Sequence, residues 1–300
     1  MGLLIRGALL PLLLVGCGVD LGATTEWVDI ESVTGELAPD RGGTTRALPV
    51  PMTSGDVFRV VSFNVEMGGD PVLLANEIRG NAAIADAALF MIQEEESYPD
   101  EGATRARRLA QQLDLGYVYV PGRVKKTGTH GLALMSRFPI ENVDVMALPL
   151  TDGGQQRIAI SADIVVGEVR LHVVNVHLET HINITDRILH FRPAIIDAPE
   201  QVIVAGDVNT NPYLWEEGAV PLVPTAQIVD TDQAPLLDDY MRALGFATPT
   251  ADVGPTERML GVESRLDAIY TRGLVVGKGF VDRTVGGSDH WPIWVDVTLP

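Results

Sequence analysis

Apolar, strand-like runs that each end in a chemically versatile polar side chain are the feature that most constrains the fold of this chain. Six such endings occur. They are Asn64 after VVSF, Glu94 after FMIQ, His177 after VVNV, Asp207 and Asn209 in VIVAGDVN, Asp267 in SRLD, and Asp289 and His290 in GGSDH. Side chains at the ends of rigid strands are held in better-defined positions than side chains on free loops. The pattern therefore predicts a β-rich scaffold with a functional site along one edge.

Each ending also has an ordinary structural explanation when it is taken alone. Asn64 fits a turn cap, Glu94 fits a solvated acidic loop, and His177 fits a satisfied core histidine. Asp207 and Asn209 fit an Asx turn. Their recurrence favours function, because a fold needs some polar turn groups but does not need carboxylates, amides and imidazoles at the ends of its most hydrophobic strands.

The composition allows a globular core and limits the classes of partner. Hydrophobic residues make up 46% and charged residues 21% of the 300 residues, which fits one large domain or two small ones. The 22 basic and 40 acidic residues give a net charge of −18, which argues against a broad basic surface for nucleic acid. A phosphate substrate stays open, because a bound divalent cation reverses the local field inside an acidic cleft.

Residues 1–16 have the shape of a secretory signal, with one arginine, an apolar run and small residues before Cys17, the only cysteine. The run is too short to span a bilayer. The ending LVGC resembles the bacterial lipoprotein signal, so we expect lipid chains on Cys17; an ordinary signal peptide or a short anchor is the alternative. Residues 17–55 lack periodicity, which predicts a flexible tether. The expected location is extracytoplasmic, lipid-anchored to a bacterial membrane of the cell envelope or secreted.

From residue 56 to residue 300 the pattern changes to many short apolar runs with few helical segments between them. Helical spacing occurs at 70–88, 101–115 and 236–244. This order predicts two β-sheets packed face to face with helices outside them. No GxGxxG follows a strand and no GxxxxGKS or GxxxxGKT is present, which disfavours a doubly wound nucleotide-binding fold.

The residue types at the strand ends favour hydrolysis of a phosphate ester. Glu94 and Asp289 are hard oxygen ligands, which suit Mg²⁺ or Mn²⁺. The lack of an HExxH motif and of a second cysteine weakens a zinc site. Asp207 could take a proton from water, and His177 and His290 could donate to phosphate oxygens as charge builds.

The remaining strand ends fit supporting roles. Asn64 and Asn209 could each bind metal or donate to a phosphate oxygen. Asp267 could hold His290 in one tautomer, as a carboxylate orients an imidazole in other hydrolases. Metal ligands, a base and imidazoles together are the groups that phosphate-ester hydrolysis requires.

The order of the motifs SFN, QE, GLALMSRFPI, NVHL, GDVN, RLD and GSDH resembles that of the endonuclease/exonuclease/phosphatase family, from Phe58 to the end of the chain. The resemblance implies a four-layered α/β sandwich, in which two packed, mainly antiparallel β-sheets lie between helices and the site lies at one end of both sheets. It also implies a divalent cation, Mg²⁺ or Mn²⁺. The implied roles are Asn64, Glu94 and Asp289 at the metal, His177 on the phosphate, Asp207 on the attacking water, Asn209 in placing the phosphate, and Asp267 paired with His290, which stabilises the transition state or protonates nearby oxygens.

Departures from the family pattern concern the QE strand and the GDVN turn. Ala87 and Ala88 stand where the family often has an acid. Glu95 and Glu96 follow Glu94 directly, so the ligand could be any of these acids; we favour Glu94 because it completes the QE pair. GDVN replaces the commoner GDFN, which changes packing and not chemistry.

Substrate choice depends on loops, which carry weaker signals. The segment 121–130 brings Arg123, Lys125, Lys126 and His130 beside the GLALMSR strand. It either contacts a second phosphate or a nucleic-acid backbone, or it is a solvated loop. Arg157 either reaches the cleft or forms a structural ion pair. The segment 213–263 is long and acidic, which suits a lining or cover of the cleft.

The sequence therefore predicts a metal-dependent hydrolase of phosphate esters, most simply a phosphodiesterase or nuclease tethered outside the cytoplasm. Its expected partners are a phosphodiester substrate, with nucleic acid as one candidate, and a membrane reached through lipid on Cys17; we expect a monomer. One alternative is a lipid-headgroup phosphodiesterase of the sphingomyelinase type, which needs an exposed apolar loop for the bilayer. The other is a non-catalytic surface binding module that kept the fold.

Overall fold

The computed structural model describes residues 25–43, 52–151, 154–215, 233–259 and 261–300. The strands in these ranges are β1 (Val28–Asp29), β2 (Asp40–Gly42), β3 (Val57–Asn64), β4 (Leu89–Ser97), β5 (Gly116–Lys125), β6 (Gly128–Ser136), β7 (Ile140–Ala147), β8 (Ile158–Val166), β9 (Val169–His177), β10 (Val202–Asp207), β11 (Glu257–Met259), β12 (Val262–Ser264), β13 (Asp267–Arg272), β14 (Val275–Val276), β15 (Phe280–Val281) and β16 (Ile293–Thr298). The α-helices are α1 (Pro71–Gly80), α2 (Arg105–Leu113), α3 (Ile184–Ile195) and α4 (Gln233–Ala243).

Two large sheets form the centre of the molecule. The first has the strand order β14-β16-β3-β4-β6-β5-β2, with β15 also paired to β16. The second has the order β1-β7-β8-β9-β10-β13. Pairing is antiparallel except between β3 and β4 and between β9 and β10. Each parallel pair is joined through a helix, α1 or α3, because parallel neighbours need a long crossover connection.

The helices cover the outer faces of both sheets, so the molecule has four layers. Val60 of β3 packs between the sheets, whereas the next residue, Val61, packs under α1 and α2. Val173 and Val174 of β9 alternate in the same way between the inner core and the layer of α3 and α4. Consecutive strand residues point to opposite faces, so strands buried on both faces are apolar throughout. The predicted four-layered α/β sandwich is confirmed.

The part of the predicted tether at residues 25–43 is folded onto this sandwich. Strand β1 pairs with β7, and β2 pairs with β5, at the edges of the two sheets. Ile30 and Val33 are buried in the core between the sheets. The prediction of a flexible tether over 17–55 is therefore wrong at residues 25–43. The folded unit begins before residue 56. Strands of two and three residues are too short to show a periodicity in the sequence.

The helices differ from their sequence predictions mainly at their ends. Helix α1 stops at Gly80, well before the predicted end at residue 88, and Asp70 caps its first turn by accepting from the N–H groups of Val72 and Leu73. Helix α2 begins after Thr104, whose hydroxyl accepts from the Arg107 N–H. Helix α3, which contains a proline, was not predicted.

Residues 1–24, with the predicted signal peptide and Cys17, lie outside the described residues. Within the described ranges no helix is long and apolar enough to cross a membrane.

Candidate active site

The two sheets bring the predicted residues together because the strands that carry them end or begin at the same edge. In the second sheet, Asp207 of β10 lies in register with His177 of β9 on one side and Asp267 of β13 on the other. In the first sheet, β16 begins just after His290 and pairs with β3, which ends at Asn64. Strand β13 packs near β16, β10 near β3, β9 near β4 and β8 near β6. The site is therefore a cleft that runs across the strand ends, with a volume of about 660 Å³.

Asp207 lies at the centre of this cleft and is almost completely buried. Its Oδ2 accepts from Asn64 Nδ2 at 2.9 Å, and its Oδ1 accepts from the Asn209 N–H at 2.9 Å. The same Oδ2 lies 3.5 Å from His177 Nε2 and 3.8 Å from His290 Nε2. Burial raises the pKa of Asp207 to about 7, although the charge of His290 opposes the rise. A carboxylate with a pKa near the working pH is well suited to act as a general base.

His290 is held by a carboxylate on the side away from the cleft centre. Its Nδ1 lies 2.8 Å from Asp267 Oδ2, which also accepts from Thr256 Oγ1 at 2.6 Å. Burial alone would lower the pKa of His290, but the negative charges of Asp267, Asp207 and Asp289 outweigh it and raise the pKa to about 10. The ring is therefore a cation at neutral pH with a fixed orientation. The predicted pair of Asp267 and His290 is present.

His177 has the opposite electrostatic character. Burial and the neighbouring Arg157 lower its pKa well below the ordinary value, so the ring is neutral. Arg157 Nη1 lies 3.0 Å from His177 Nε2, and Arg157 Nε lies 3.1 Å from Glu179 Oε2. Both alternatives for Arg157 hold, since it lines the cleft and also forms a buried ion pair.

A β-bulge in β4 decides which of the neighbouring acids enters the cleft. The pairing of β4 with β6 shifts between Ile92 and Glu95, and Glu94 within this bulge has a left-handed backbone with φ 59°. Glu94 lines the cleft. Glu95 is buried away from it, and its carboxylate accepts no hydrogen bond from a described residue, whereas Glu96 contacts Lys125. The structure therefore places the favoured acid, Glu94, in the cleft.

Carboxylates converge at the end of the cleft near β3, β4 and β16. The Asp289 N–H donates to Glu66 Oε2 at 3.1 Å, and the Met67 N–H donates to Glu94 Oε2 at 3.1 Å. Burial and the nearby Asp289 charge raise the pKa of Glu66, and burial together with Glu94 raises that of Asp289. The charge of His290 offsets this mutual repulsion only in part, and converging oxygen donors of this kind fit a hard divalent metal ion.

Asn64 is placed differently from the carboxylates around it. Its Nδ2 donates to Asp207, and its Oδ1 accepts from the Glu66 N–H at 3.0 Å. Both ends of the amide are therefore engaged inside the protein. The geometry makes Asn64 a positioning residue for Asp207, and its role as a metal ligand stays a prediction. Ligand atoms of Asp207, Asp267 and His290 also lie within 4.8 Å of one another, but the short bond between the last two identifies them as a hydrogen-bonded pair.

Two acids that line the cleft were not found from the sequence. Glu66 stands two residues after Asn64, and this spacing on one strand end was the available signal. Glu257 is buried beside His290, and burial raises its pKa to about 7; it lies in the acidic segment 213–263, where no strand-end pattern marks it. Asn209 meets the prediction in part: it lines the cleft, with φ 52°, but its Nδ2 donates to the Leu178 carbonyl at 2.9 Å.

The model of the endonuclease/exonuclease/phosphatase family matches residues 61–290, a span that begins just before Asn64 and ends at His290. The chain belongs to the endonuclease/exonuclease/phosphatase family. All eight predicted site residues lie inside the span that the family model matches. A search of curated proteins found no match.

Solved structures of this family superpose on the chain at low sequence identity. An endonuclease/exonuclease/phosphatase from Beutenbergia cavernae gives a TM-score of 0.61 at 19% identity, covering 81% of this chain and 72% of that one. An endonuclease/exonuclease/phosphatase family protein from Leptotrichia buccalis gives 0.57 at 14% identity, over 81% and 100%. D. rerio TDP2, complexed with a single-strand DNA product, gives 0.55 at 17% identity, over 81% and 99%. These likenesses support the shared fold.

Proposed function

We propose that this family member is a metal-dependent phosphodiesterase, most simply a nuclease, tethered outside the cytoplasm. The observation that carries the proposal is the placement of a buried Asp207 between neutral His177 and cationic His290, opposite a group of converging carboxylates. A neutral donor, a cation and a base of suitable pKa around one point are the groups needed to attack and stabilise a phosphate ester.

Glu94, Glu66 and Asp289 would hold a divalent cation, Mg²⁺ or Mn²⁺, with Asn64 beside them. When bound, such an ion neutralises phosphate charge and acts as a Lewis acid. The specific ion is part of the proposal, and it rests on the all-oxygen character of the donors.

Side chains of the cleft would perform the remaining work. Water attacks the phosphorus atom, Asp207 receives the proton of that water, and the bond from phosphorus to the leaving oxygen breaks. Neutral His177 donates to a nonbridging oxygen, and His290, fixed by Asp267, stabilises the added negative charge or protonates the leaving oxygen. Asn209 helps place the phosphate and donates its N–H to Asp207.

Nucleic acid is favoured as the substrate by aromatic groups on the cleft. Tyr213 and Trp215 line it, with ring centroids 6.2 Å apart, and His181 packs against Trp215 at 4.5 Å. Bases stack on such side chains without sequence preference. The related D. rerio TDP2 was solved with a single-strand DNA product. The net charge of −18 argues against a broad basic surface for nucleic acid outside the cleft.

A lipid-headgroup substrate is the second candidate, and one observation favours it. Met67 and Val262 line the cleft and are 48% and 42% exposed, so they offer apolar contacts at its mouth. Lipid on Cys17 would place either activity at a membrane, where each buried CH₂ of an acyl chain contributes about 0.8 kcal/mol.

Hydrolysis assays on the full chain test the proposal. Bis-p-nitrophenyl phosphate, plasmid DNA, RNA and sphingomyelin are each incubated with Mg²⁺ or with EDTA, beside the variant His290→Gln. We expect cleavage of the diester and of DNA or RNA that needs Mg²⁺ and is lost in the variant. Cleavage of sphingomyelin alone would select the second candidate. Binding without turnover of any substrate would select the non-catalytic module instead.

Attachment to lipid is tested separately from catalysis. Bacteria that express the full chain or Cys17→Ser are grown with radiolabelled palmitate. Label on the parent chain and none on the variant would support the anchor, whereas no label on either chain would reject it.

A further inference from the structure

The far end of the cleft, at β5, β6 and the start of β8, carries an arginine, Arg123, whose side chain forms no ion pair with a described acid. Arg123 of β5 lies directly across from His130 of β6. A register shift between Pro121 and Arg123 interrupts the pairing at this point, and such bulges re-aim a side chain. Both residues line the cleft, together with Arg157.

Arg123 has no side-chain partner that would explain its position, and His130 has only a loose one. The Arg123 side chain makes no hydrogen bond or ion pair with any described residue, and its Nε is buried. His130 is only 6% exposed, and its Nδ1 is also buried. Glu96 Oε1 lies 3.6 Å from that nitrogen, a loose contact, and the same carboxylate is held more closely by Lys125.

A partly buried guanidinium without a partner is costly, because desolvation is not offset by an ion pair. Here the cost is increased by a second cation, since burial and the charge of Arg157 lower the pKa of Arg123. Donors held in this arrangement without an internal acceptor are suited to an anion that arrives with the ligand. Arginine forks match the oxygens of phosphate better than other side chains do.

We infer that Arg123 and His130 form a subsite that binds a second phosphate group of the substrate, next to the phosphate that is cleaved. Strand order supports the adjacency, because His177 of β9 lies near β4, whereas His130 and Arg157 lie one strand further along each sheet. Arg157, at 3.0 Å from His177, connects the two positions. The preferred substrate is then a nucleotide that carries the diester to be cleaved on one sugar hydroxyl and a second phosphate group on another. This inference rests on the proposed function.

The test uses two esters that release the same leaving group. The p-nitrophenyl ester of thymidine 5′-phosphate, with and without a 3′-phosphate, is hydrolysed by the full chain, by Arg123→Gln and by Arg123→Lys. Lys126→Gln is the matched control, because Lys126 is exposed at the turn of the same hairpin and its loss removes one charge outside the cleft.

We expect the parent chain to prefer the 3′-phosphorylated ester by about tenfold in kcat/KM, which is within the contribution of a charge-assisted hydrogen bond. Arg123→Gln should lose this preference through KM, with a larger fall in kcat/KM for the 3′-phosphorylated ester than for the plain ester, and Arg123→Lys should restore part of it. Lys126→Gln should keep it. An equal loss for both esters in Arg123→Gln, or no preference in the parent chain, would overturn the inference.

Failure of the proposed function is distinguished by a binding measurement that needs no turnover. Calorimetry compares thymidine 3′,5′-bisphosphate with thymidine 5′-phosphate on the full chain and on Arg123→Gln. If neither ester is hydrolysed, the phosphodiesterase proposal fails, but tighter binding of the bisphosphate that Arg123→Gln abolishes would still support the subsite. Equal binding of the two nucleotides would overturn it.

Discussion

Asn175 joins the two sheets directly beneath the cleft, and its replacement tests how the bulge that carries Glu94 is held. The side chain is fully buried on β9 of the second sheet. Its Nδ2 donates to the carbonyls of Ile92 and Ala133 in the first sheet, at 2.9 and 3.0 Å, and its Oδ1 accepts from Gln93 Nε2 at 2.7 Å. Asn175→Leu therefore leaves two carbonyls and one amide without these partners.

Each buried polar group that loses its partner costs about 1–3 kcal/mol. Gln93 keeps a bond from Nε2 to the Met91 carbonyl at 2.9 Å, so the loss comes from the two carbonyls, and we expect about 2–6 kcal/mol in the free energy of unfolding. Urea denaturation of the full chain measures this loss. Because Ile92 borders the bulge, we also expect weaker binding of Mn²⁺, measured by calorimetry under conditions where the variant is folded.

Asn76→Leu provides the control for this experiment, because Asn76 is exposed on α1 and its side chain accepts from Arg79, which is also exposed. We expect that change to cost less than about 0.5 kcal/mol. If Asn175→Leu unfolded at the same urea concentration as the parent chain and bound Mn²⁺ equally well, the reasoning about the bulge would be refuted.

Three further changes test separate parts of the structure. Ile30→Ala should cost about 2–4 kcal/mol in urea denaturation, whereas a flexible tether at that position would give no change. Burial and Arg157 lower the pKa of His190 from 6.5 to about 4, so the unfolded chain binds a proton there first; stability should be intact above pH 6.5 and fall by about 3 kcal/mol as the pH drops towards 4. His190→Gln should remove this part of the acid sensitivity, and an identical pH dependence of the unfolding free energy in both chains would contradict the assignment. Asp267→Asn should lower kcat by at least about 100-fold without weakening Mn²⁺ binding, since it removes the negative charge that faces His290 and touches no carboxylate of the metal end.

The polar ends of apolar strands were sufficient to predict most of the cleft. His177 and Asp207 each end a largely buried strand, and Asp267 begins one, so their positions depend only on where a strand stops or starts. The pairing of strands then aligns these ends without further information from loops. The resemblance to the family supplied the roles, and the layers followed from many strands with few helices.

Features that depend on contacts distant in sequence could not be predicted in the same way. Glu94 has a positive φ within the bulge, and the carbonyl of Ile92 at the border of that bulge accepts from Asn175, which is remote in sequence and belongs to the other sheet. The edge strand β1 consists of two residues and is fixed by its partner β7. Glu66 and Glu257 became visible as cleft residues only through the fold.

The most direct test of the central claim is the rate at which Asp207→Asn hydrolyses bis-p-nitrophenyl phosphate, measured beside the parent chain over a titration of Mg²⁺. The variant keeps the size of the side chain and an oxygen that can accept the Asn209 N–H, but it cannot take a proton from water. We predict that the parent chain needs Mg²⁺ and that the variant is slower by at least about 100-fold at every Mg²⁺ concentration. Equal rates for the two chains, or parent activity that persists in EDTA, would contradict a metal-dependent phosphodiesterase centred on Asp207.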